Sequence, residues 1–128
     1  MELKKTAIRD WHVSHGGKMV PFSGWELPIQ YTSISEEHRR VRESVGLFDV
    51  SHMGNFEIKG RDTEDFMNRV LTNNYYTCKE WQLKYSHIPR EDGVIIDDMI
   101  AGKITPEHFV SVPNAAMIDI DYAWFEEQ

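Results

Sequence analysis

Two consecutive carboxylates, Asp97 and Asp98, are the first candidates for chemistry in this sequence. They lie in a stretch whose pattern predicts a β-strand, where neighbouring side chains point to opposite faces. One carboxylate could therefore enter a pocket, where burial raises its pKa and lets it accept or relay a proton. The alternative is a pair of surface aspartates that protect an edge strand, and residue type alone favours that alternative.

Histidines, a serine and a cysteine are the other reactive side chains. His12 and His15 lie three residues apart on a predicted helix, a spacing that suits two ligands of a metal ion. No cysteine or carboxylate is placed to complete such a site, so packing or capping is favoured and no metal is predicted. Adjacency does not make Ser51 and His52 a nucleophile–base pair. Cys78 has no evident base, so an unreactive thiol is favoured.

An aromatic cluster and an asparagine complete the candidates. Phe22, Trp25 and Tyr31 could form a stacking platform for a flat ligand, although packing in a core is the default. Asn114 precedes the last predicted helix, where it could cap the helix or contact a ligand through its amide. The sequence favours the cap.

The elements that must position these side chains are clearest after residue 51. The pattern predicts strands over 55–59, 83–88, 94–104 and 108–112, with helices over 62–73 and after Asn114. Asp92-Gly93 supplies a hairpin turn between two of the strands. The order β-α-β-β-β-α predicts an α+β fold, an antiparallel sheet with helices on one face. Two apolar stripes are expected in its core: Phe66, Met67, Val70 and Leu71, and Ile118, Tyr122 and Phe125.

The first fifty residues predict a helical and loop segment. A helix is expected from Thr6, as its cap, to His15, with Gly16-Gly17 as its stop. Residues 19–31 contain prolines and a glycine, which predict a compact loop with room for one short strand. Ser33 opens a capping box before a second helix that Gly46 ends. Its apolar stripe is expected in the core: Ile34, His38, Val41 and Val45.

Length and charge limit the class of protein. The 128 residues suffice for one ordinary core, and 41% hydrophobic with 27% charged residues indicate a globular chain. The net charge is −7, and residues 51–128 carry 14 acidic and 7 basic side chains, whereas the first fifty carry 7 of each. This shift suggests two units that meet near Ser51. An acidic unit repels a phosphate backbone, so a nucleic-acid partner is not expected.

The cellular location is predicted from the lack of a membrane helix and of a signal segment, and from the single cysteine. No apolar run approaches the roughly 18 residues of a membrane helix, and the N-terminal residues have no apolar signal segment. The single Cys78 excludes an internal disulfide and fits a reducing compartment. The sequence therefore predicts a cytoplasmic protein with no membrane partner.

Three stretches closely resemble the N-terminal part of the glycine cleavage system T protein, an aminomethyltransferase. They are residues 22–31 (FSGWELPIQY), 33–38 (SISEEH) and 45–54 (VGLFDVSHMG). The wider family includes the folate-binding domains of dimethylglycine and sarcosine dehydrogenases and a sulfonium demethylase. Because the resemblance runs from Asp10 to Trp124, a small ferredoxin-like regulatory domain outside this family is disfavoured.

The resemblance implies a tetrahydrofolate-dependent transferase. Such an enzyme takes the one-carbon unit from the aminomethyl-lipoyl arm of the H protein to tetrahydrofolate, with release of ammonia. Lipoylated H protein and tetrahydrofolate are the implied partners. Asp98 is implied as the catalytic carboxylate that polarises the pterin and assists proton transfer, and Met53, Tyr85, Asp98 and Asn114 as folate-binding residues. The alternative is a non-catalytic folate- or protein-binding relic of the same family.

The sequence departs from the family in pocket residues and in length. Only Gly93 remains of two usual glycines, and Pro113 and Met117 replace other family residues, which predicts weaker folate binding. The family has three domains, which implies that residues 1–51 are the first segment of a discontinuous folate-binding domain and 52–128 the second domain. The chain is then expected to be inactive without the remaining part. Its apolar first segment would need self-association or a complementary T-protein chain to cover it.

Overall fold

A computed structural model of the chain describes residues 2–128. The chain falls into two compact units that divide between His52 and Met53. The sequence predicted a boundary after Ser51, and the assignment of the two parts to domains of a longer protein stays a prediction. Within residues 2–128, every helix is too short or too polar to cross a bilayer.

The first unit contains two helices and a small mixed sheet. Its elements are β1 (Lys4–Lys5), α1 (Arg9–Ser14), β2 (Met19–Phe22), β3 (Trp25–Pro28) and α2 (Ile34–Glu43). The strand order is β1-β3-β2, with β1 parallel and β2 antiparallel to β3.

The compact loop expected over residues 19–31 is wrong, because β2 and β3 form a hairpin. Ser23 and Gly24 make its turn with φ of 48° and 81°, and positive φ at both central residues matches the twist of a two-residue hairpin. Pro21 is tolerated because β2 is an edge strand, and Pro28 stands at the end of β3. The prolines therefore mark the limits of the strands and do not exclude them.

The predicted helix boundaries are right in part. Thr6 does not cap α1, because its side chain is buried and Ile8 occupies the cap position without a side-chain hydrogen bond. Gly16, at φ 80°, follows the end of α1 as expected. Ser33 does cap α2, since its Oγ accepts a hydrogen bond from the Glu36 amide at 3.2 Å.

The apolar stripe of α2 was expected in the core, and this is wrong. Ile34, Val41 and Val45 are 60%, 39% and 77% exposed. Ile34 and Val41 border an open cavity of about 1000 Å³ within the first unit, which is also lined by Leu47 and Phe48. The helical spacing identifies the face that needs an apolar partner, but within residues 2–52 much of this face stays open.

The second unit has the predicted element order. Its elements are β4 (Phe56–Lys59), α3 (Thr63–Val70), β5 (Leu83–Pro89), β6 (Ile95–Thr105), β7 (His108–Pro113) and α4 (Ile118–Glu127). The four strands form an antiparallel sheet in the order β4-β7-β6-β5. The α+β fold class is therefore confirmed, with the small sheet of the first unit in addition.

One face of this sheet carries the core. Met67 and Val70 of α3 and Phe125 of α4 pack in one cluster with Ile88 and Phe109 of the sheet. Both helices therefore cover the same face, because strand residues alternate between faces. The ring of Phe109 also contacts the buried Tyr75 edge-on, with a centroid separation of 5.8 Å.

The predicted stripe of α4 is only partly correct. Phe125 is buried as expected, whereas Tyr122 is exposed. The second buried position of α4 is Asp121, one turn before Phe125. The sequence does not predict this burial, because a carboxylate normally lies on the solvent face.

Phe109→Ala should lower the free energy of unfolding of the second unit by about 3–5 kcal/mol, because it empties a large site in the core. Urea unfolding monitored by circular dichroism measures this. Leu83→Ala is the control, since Leu83 lies exposed on the opposite face and should cost less than about 1 kcal/mol. Equal losses in the two variants would contradict the assigned core face.

Candidate functional site

The two consecutive aspartates lie on opposite faces of the sheet, as strand geometry predicts. Asp97 pairs with the buried Ile88, which places it on the helix-covered face, and Asp98 pairs with His87 on the other face. Both side chains are half-buried. Because β6 is an interior strand, the alternative that the pair protects a sheet edge is wrong.

Asp98 has a phenol beside it on the open face of the sheet. Tyr85 and His87 share this face, with ring centroids 5.3 Å apart. The Asp98 carboxylate raises the pKa of the Tyr85 hydroxyl, chiefly because the hydrogen bond between them favours the neutral phenol. Tyr85 and Ile100 are 55% and 45% exposed. Asp98 is therefore an anion next to a hydroxyl donor on an accessible apolar surface.

Asn114 connects the two aspartates and does not cap a helix. Its Nδ2 donates to Asp97 Oδ1 at 3.0 Å, to Asp97 Oδ2 at 3.1 Å and to the carbonyl oxygen of Asp98 at 2.8 Å. The predicted cap is wrong, because α4 begins at Ile118 with Met117 in the cap position. A hydrogen bond to a charged acceptor is stronger than one to a neutral group, so the carboxylate is the better partner for the amide.

Asp121 is a buried acid behind Asp97. Its side chain is fully buried, and neither oxygen accepts a hydrogen bond from an N–H or O–H donor. Desolvation, followed by hydrogen bonding to Asp97 and the negative charges of Asp97 and Asp98, raises the pKa of Asp121 to about 7. Two carboxyl groups can bond to each other only if one of them carries a proton. Its raised pKa and the lack of a donor to its oxygens both favour the neutral form of Asp121.

Met53 is connected to the group around Asn114 by a backbone hydrogen bond of the residue that follows it. It is half-buried, and the amide of the following Gly54 donates to the carbonyl oxygen of Pro113 at 3.1 Å. Gly54 allows this close approach, because a Cβ atom there would stand 2.6 Å from Pro113 Cγ and 2.8 Å from Ile118 Cγ1. The backbone thus joins the residue after Met53 to the residue before Asn114. The folate-binding roles of Met53, Tyr85, Asp98 and Asn114 stay predictions.

The first unit contains a different buried polar group, centred on His12. Its Nε2 lies 2.8 Å from Asp49 Oδ2 and its Nδ1 lies 2.5 Å from the Tyr31 hydroxyl. Burial favours a neutral Asp49, but the hydrogen bonds from His12 and Ser51 together outweigh it and hold the pKa of Asp49 well below its ordinary value. The sequence does not predict this group, because Asp49 is 37 residues from His12.

The other reactive candidates do not assemble into a site. Both ring nitrogens of His12 have partners, and His15 is exposed and stacks on Trp11, with centroids 4.0 Å apart. Among residues 2–128, no group of three or more His, Cys, Asp or Glu side chains is arranged to hold a metal ion.

Phe22, Trp25 and Tyr31 were expected to pack in a core, with a stacking platform as the alternative. Core packing is wrong for Phe22 and Tyr31, whose side chains are exposed. The Tyr31 hydroxyl is bonded to His12.

The serine and the cysteine also have structural partners. Ser51 Oγ donates to Asp49 Oδ1 at 2.6 Å, and no hydrogen bond joins it to His52. Cys78 is buried and its Sγ donates to the carbonyl oxygen of Gln82 at 3.3 Å. Neither side chain is arranged as a nucleophile with a base.

Comparison with known families decides how this geometry is interpreted. The GCVT N-terminal domain family matches residues 8–128. The chain belongs to this family. The matched residues include Asp98 and the other three predicted folate-binding residues, Met53, Tyr85 and Asn114. The polar side chains around Asp98 therefore lie within the shared domain.

Individual relatives of the family agree with this assignment. An aminomethyltransferase of Desulfitobacterium hafniense (strain Y51) is 42% identical over 127 residues, which are 99% of this chain and 35% of that protein. One of Thermotoga sp. (strain RQ2) is 44% identical over 124 residues, 97% of this chain and 34% of that protein. The chain therefore spans about a third of the length of the curated relatives it matches.

A solved structure gives the same result. The crystal structure of the glycine cleavage system aminomethyltransferase T from Bartonella henselae matches with a TM-score of 0.91 at 31% identity. The match covers 98% of this chain and 35% of that one. The α+β architecture described above is therefore that of a GCVT family member.

The buried Asp121 predicts that the second unit loses stability as the pH rises. The unfolded chain ionises Asp121 near its ordinary pKa of 3.8, whereas the folded chain keeps the proton up to about pH 7. This contribution to stability is fully present below the unfolded pKa and is lost as the pH rises through the folded pKa. Between about pH 5 and about pH 8 the free energy of unfolding should fall by about 2–3 kcal/mol, as urea unfolding can measure.

The matched variants isolate this effect from other titrating groups. Asp121→Asn cannot ionise at this position. Between these two pH values its free energy of unfolding should therefore fall by about 2–3 kcal/mol less than that of the unsubstituted chain. Asp119→Asn removes an exposed acid from the same helical turn and should leave the fall unchanged. If the free energy of unfolding of Asp121→Asn fell as much as that of the unsubstituted chain, the assignment of a proton to Asp121 would be contradicted.

Proposed function

We propose that this chain forms the part of a tetrahydrofolate-dependent aminomethyltransferase that carries the catalytic carboxylate, Asp98. The observation that carries the proposal is the position of Asp98 next to Tyr85 on the open sheet face. Identities of 42% and 44% to aminomethyltransferases across nearly the whole chain support it. The reaction would move the one-carbon unit of an aminomethyl-lipoyl H protein to tetrahydrofolate and release ammonia.

The chemistry requires a group that handles protons while bonds to nitrogen change. The pterin nitrogen that attacks the one-carbon unit must lose its proton as the new C–N bond forms. A fixed anion can accept or hold that N–H and can stabilise the cationic, iminium-like carbon. Asp98 has this charge, and the hydroxyl of Tyr85 beside it can orient the carboxylate by donating to it.

Two other proposed folate contacts, Asn114 and Met53, are connected to Asp98 through hydrogen bonds that involve the backbone. Asn114 holds the main chain at Asp98, and Met53 is joined to the same strand end through Gly54. A small-molecule site usually encloses most of its ligand with apolar walls and few polar groups. Because the face around Tyr85 is exposed, we propose that further polypeptide, as in the longer relatives, supplies the remaining walls.

Asp98→Asn should lower ammonia release by about 10²–10⁴-fold, because the amide keeps the shape but does not accept a proton. The assay combines the chain with the remaining domains of an aminomethyltransferase, aminomethylated H protein and tetrahydrofolate. Asp92→Asn is the control, since Asp92 is an exposed acid in the turn that precedes β6. Its rate should match that of the unsubstituted chain.

The same assay separates the enzyme from the alternative of a folate- or protein-binding relic. Unchanged ammonia release in Asp98→Asn removes the carboxylate from the mechanism. If the unsubstituted chain gives no release but still binds H protein, the relic replaces the enzyme as the interpretation.

We also propose that the apolar cavity of the first unit is covered in the working protein, by a complementary chain or by a second copy. Leu47 is fully exposed and Phe48 largely so, and both line that cavity. Monomeric proteins rarely leave a large apolar patch uncovered.

The isolated chain should therefore self-associate as its concentration rises, which size-exclusion chromatography with light scattering can follow. Leu47→Ser with Phe48→Ser should shift the equilibrium toward monomer, because the two changes remove exposed apolar area. Glu43→Ser, at an exposed polar position of α2, is the control. A stable monomer at every concentration would contradict the self-association.

A further inference from the structure

We propose that Asp121 works as a neutral carboxylic acid whose O–H group holds Asp97 and, through Asn114, positions Asp98. Asp121 is therefore a positioning residue, since it acts through its neighbours and not on a substrate. The inference rests on the proposed function only for the role of Asp98. The arrangement itself rests on the complete burial of Asp121 without a donor and on the hydrogen bonds of Asn114 to Asp97 and Asp98.

The burial of Asp121 without donors favours the neutral acid. Its carboxyl group is fully buried, and no backbone amide, hydroxyl or basic side chain donates to it. The groups whose charges act on it are Asp97 and Asp98, both on β6 and both acidic. An ionised carboxylate in such surroundings would lack both solvation and a counter-charge, and the cost of burying it is several kcal/mol. The neutral acid avoids this cost.

Asp97 can serve as the acceptor of the Asp121 O–H. Asp97 already accepts the amide of Asn114 on both of its oxygens, at 3.0 and 3.1 Å. A carboxylate has about four lone-pair sites, so it can accept a further O–H from the opposite side. In the proposed arrangement the O–H of Asp121 on α4 is the second donor to Asp97, beside the amide of Asn114 at the strand end. A hydrogen bond to an ionised acceptor is about twice as strong as one between neutral groups.

Asn114 connects this pair to Asp98. The same Nδ2 group of Asn114 also donates to the carbonyl oxygen of Asp98, at 2.8 Å. A continuous series therefore runs from the O–H of Asp121 to the carboxylate of Asp97, to the amide of Asn114, and to the main chain of Asp98. If Asp121 lost its proton, it would repel Asp97 and disturb the acceptor that holds Asn114.

Nuclear magnetic resonance on the full chain tests the arrangement without any substrate. In the unsubstituted chain, the Asp121 carboxyl carbon should show the protonated form at about pH 5. The side-chain amide of Asn114 should shift with the same midpoint as Asp121. The proposal is overturned if Asp121 is ionised at that pH. It is also overturned if the chemical shift of the Asn114 amide does not change as Asp121 titrates.

Variants separate positioning from a general effect on folding. Asp121→Asn keeps a neutral donor of nearly the same shape, so the Asn114 amide and the Asp98 carboxyl should keep their shifts. Asp121→Ala removes the donor and should move both signals. Asp119→Ala, at an exposed site of the same helix, should move neither. Unmoved signals in Asp121→Ala, or equal movement in Asp121→Asn, overturn the proposal. If Asp121→Ala does not fold, the titration of the unsubstituted chain decides.

The ammonia assay adds a readout that a purely structural role would not produce. Asp121→Ala should lower kcat by about tenfold to a hundredfold with little change in KM, because a displaced Asp98 aligns poorly with the reacting atoms. Asp121→Asn should restore most of kcat. An equal loss in both variants overturns positioning through a neutral donor. The absence of an effect of Asp98→Asn would instead overturn the proposed function and leave the resonance result standing.

Discussion

The hydrogen bonds of the Asn114 side chain are the interaction on which the candidate site depends. One amide group holds the carboxylate of Asp97 and the main chain of Asp98 at the same time. The pairing of β6 between β5 and β7 then sends the two carboxylates to opposite faces. One aspartate consequently becomes part of the packed interior, while its neighbour stays accessible next to Tyr85.

Much of the second unit could be predicted from the sequence because its signals are local. Alternation in β5–β7, the Asp92-Gly93 turn and the apolar stripe of α3 depend on residues close together in the chain. The opposite facing of Asp97 and Asp98 followed from strand geometry alone. The partners of Asn114 did not, because Asp97 is 17 residues away and only the folded sheet brings it near.

Two errors share a physical origin in burial. Asp121 was assigned to solvent and is buried, whereas Ile34 and Val41 were assigned to a core and are exposed. A helical stripe shows which side chains lie together, but not which surface receives them. The burial of a side chain is then predicted from its chemical type alone. This prediction fails where an acid can keep its proton, and where an apolar face stays open within its own unit.

The pairing of Asp121 with Asp97 has a consequence for how samples of this protein are compared. The raised pKa of Asp121, about 7, places the ionisation of this buried acid close to neutrality. Two preparations buffered well below and well above that pH are therefore expected to differ by nearly one elementary charge behind β6, although their composition is identical. Affinities or structures obtained in the two buffers describe different charge states of the same polypeptide.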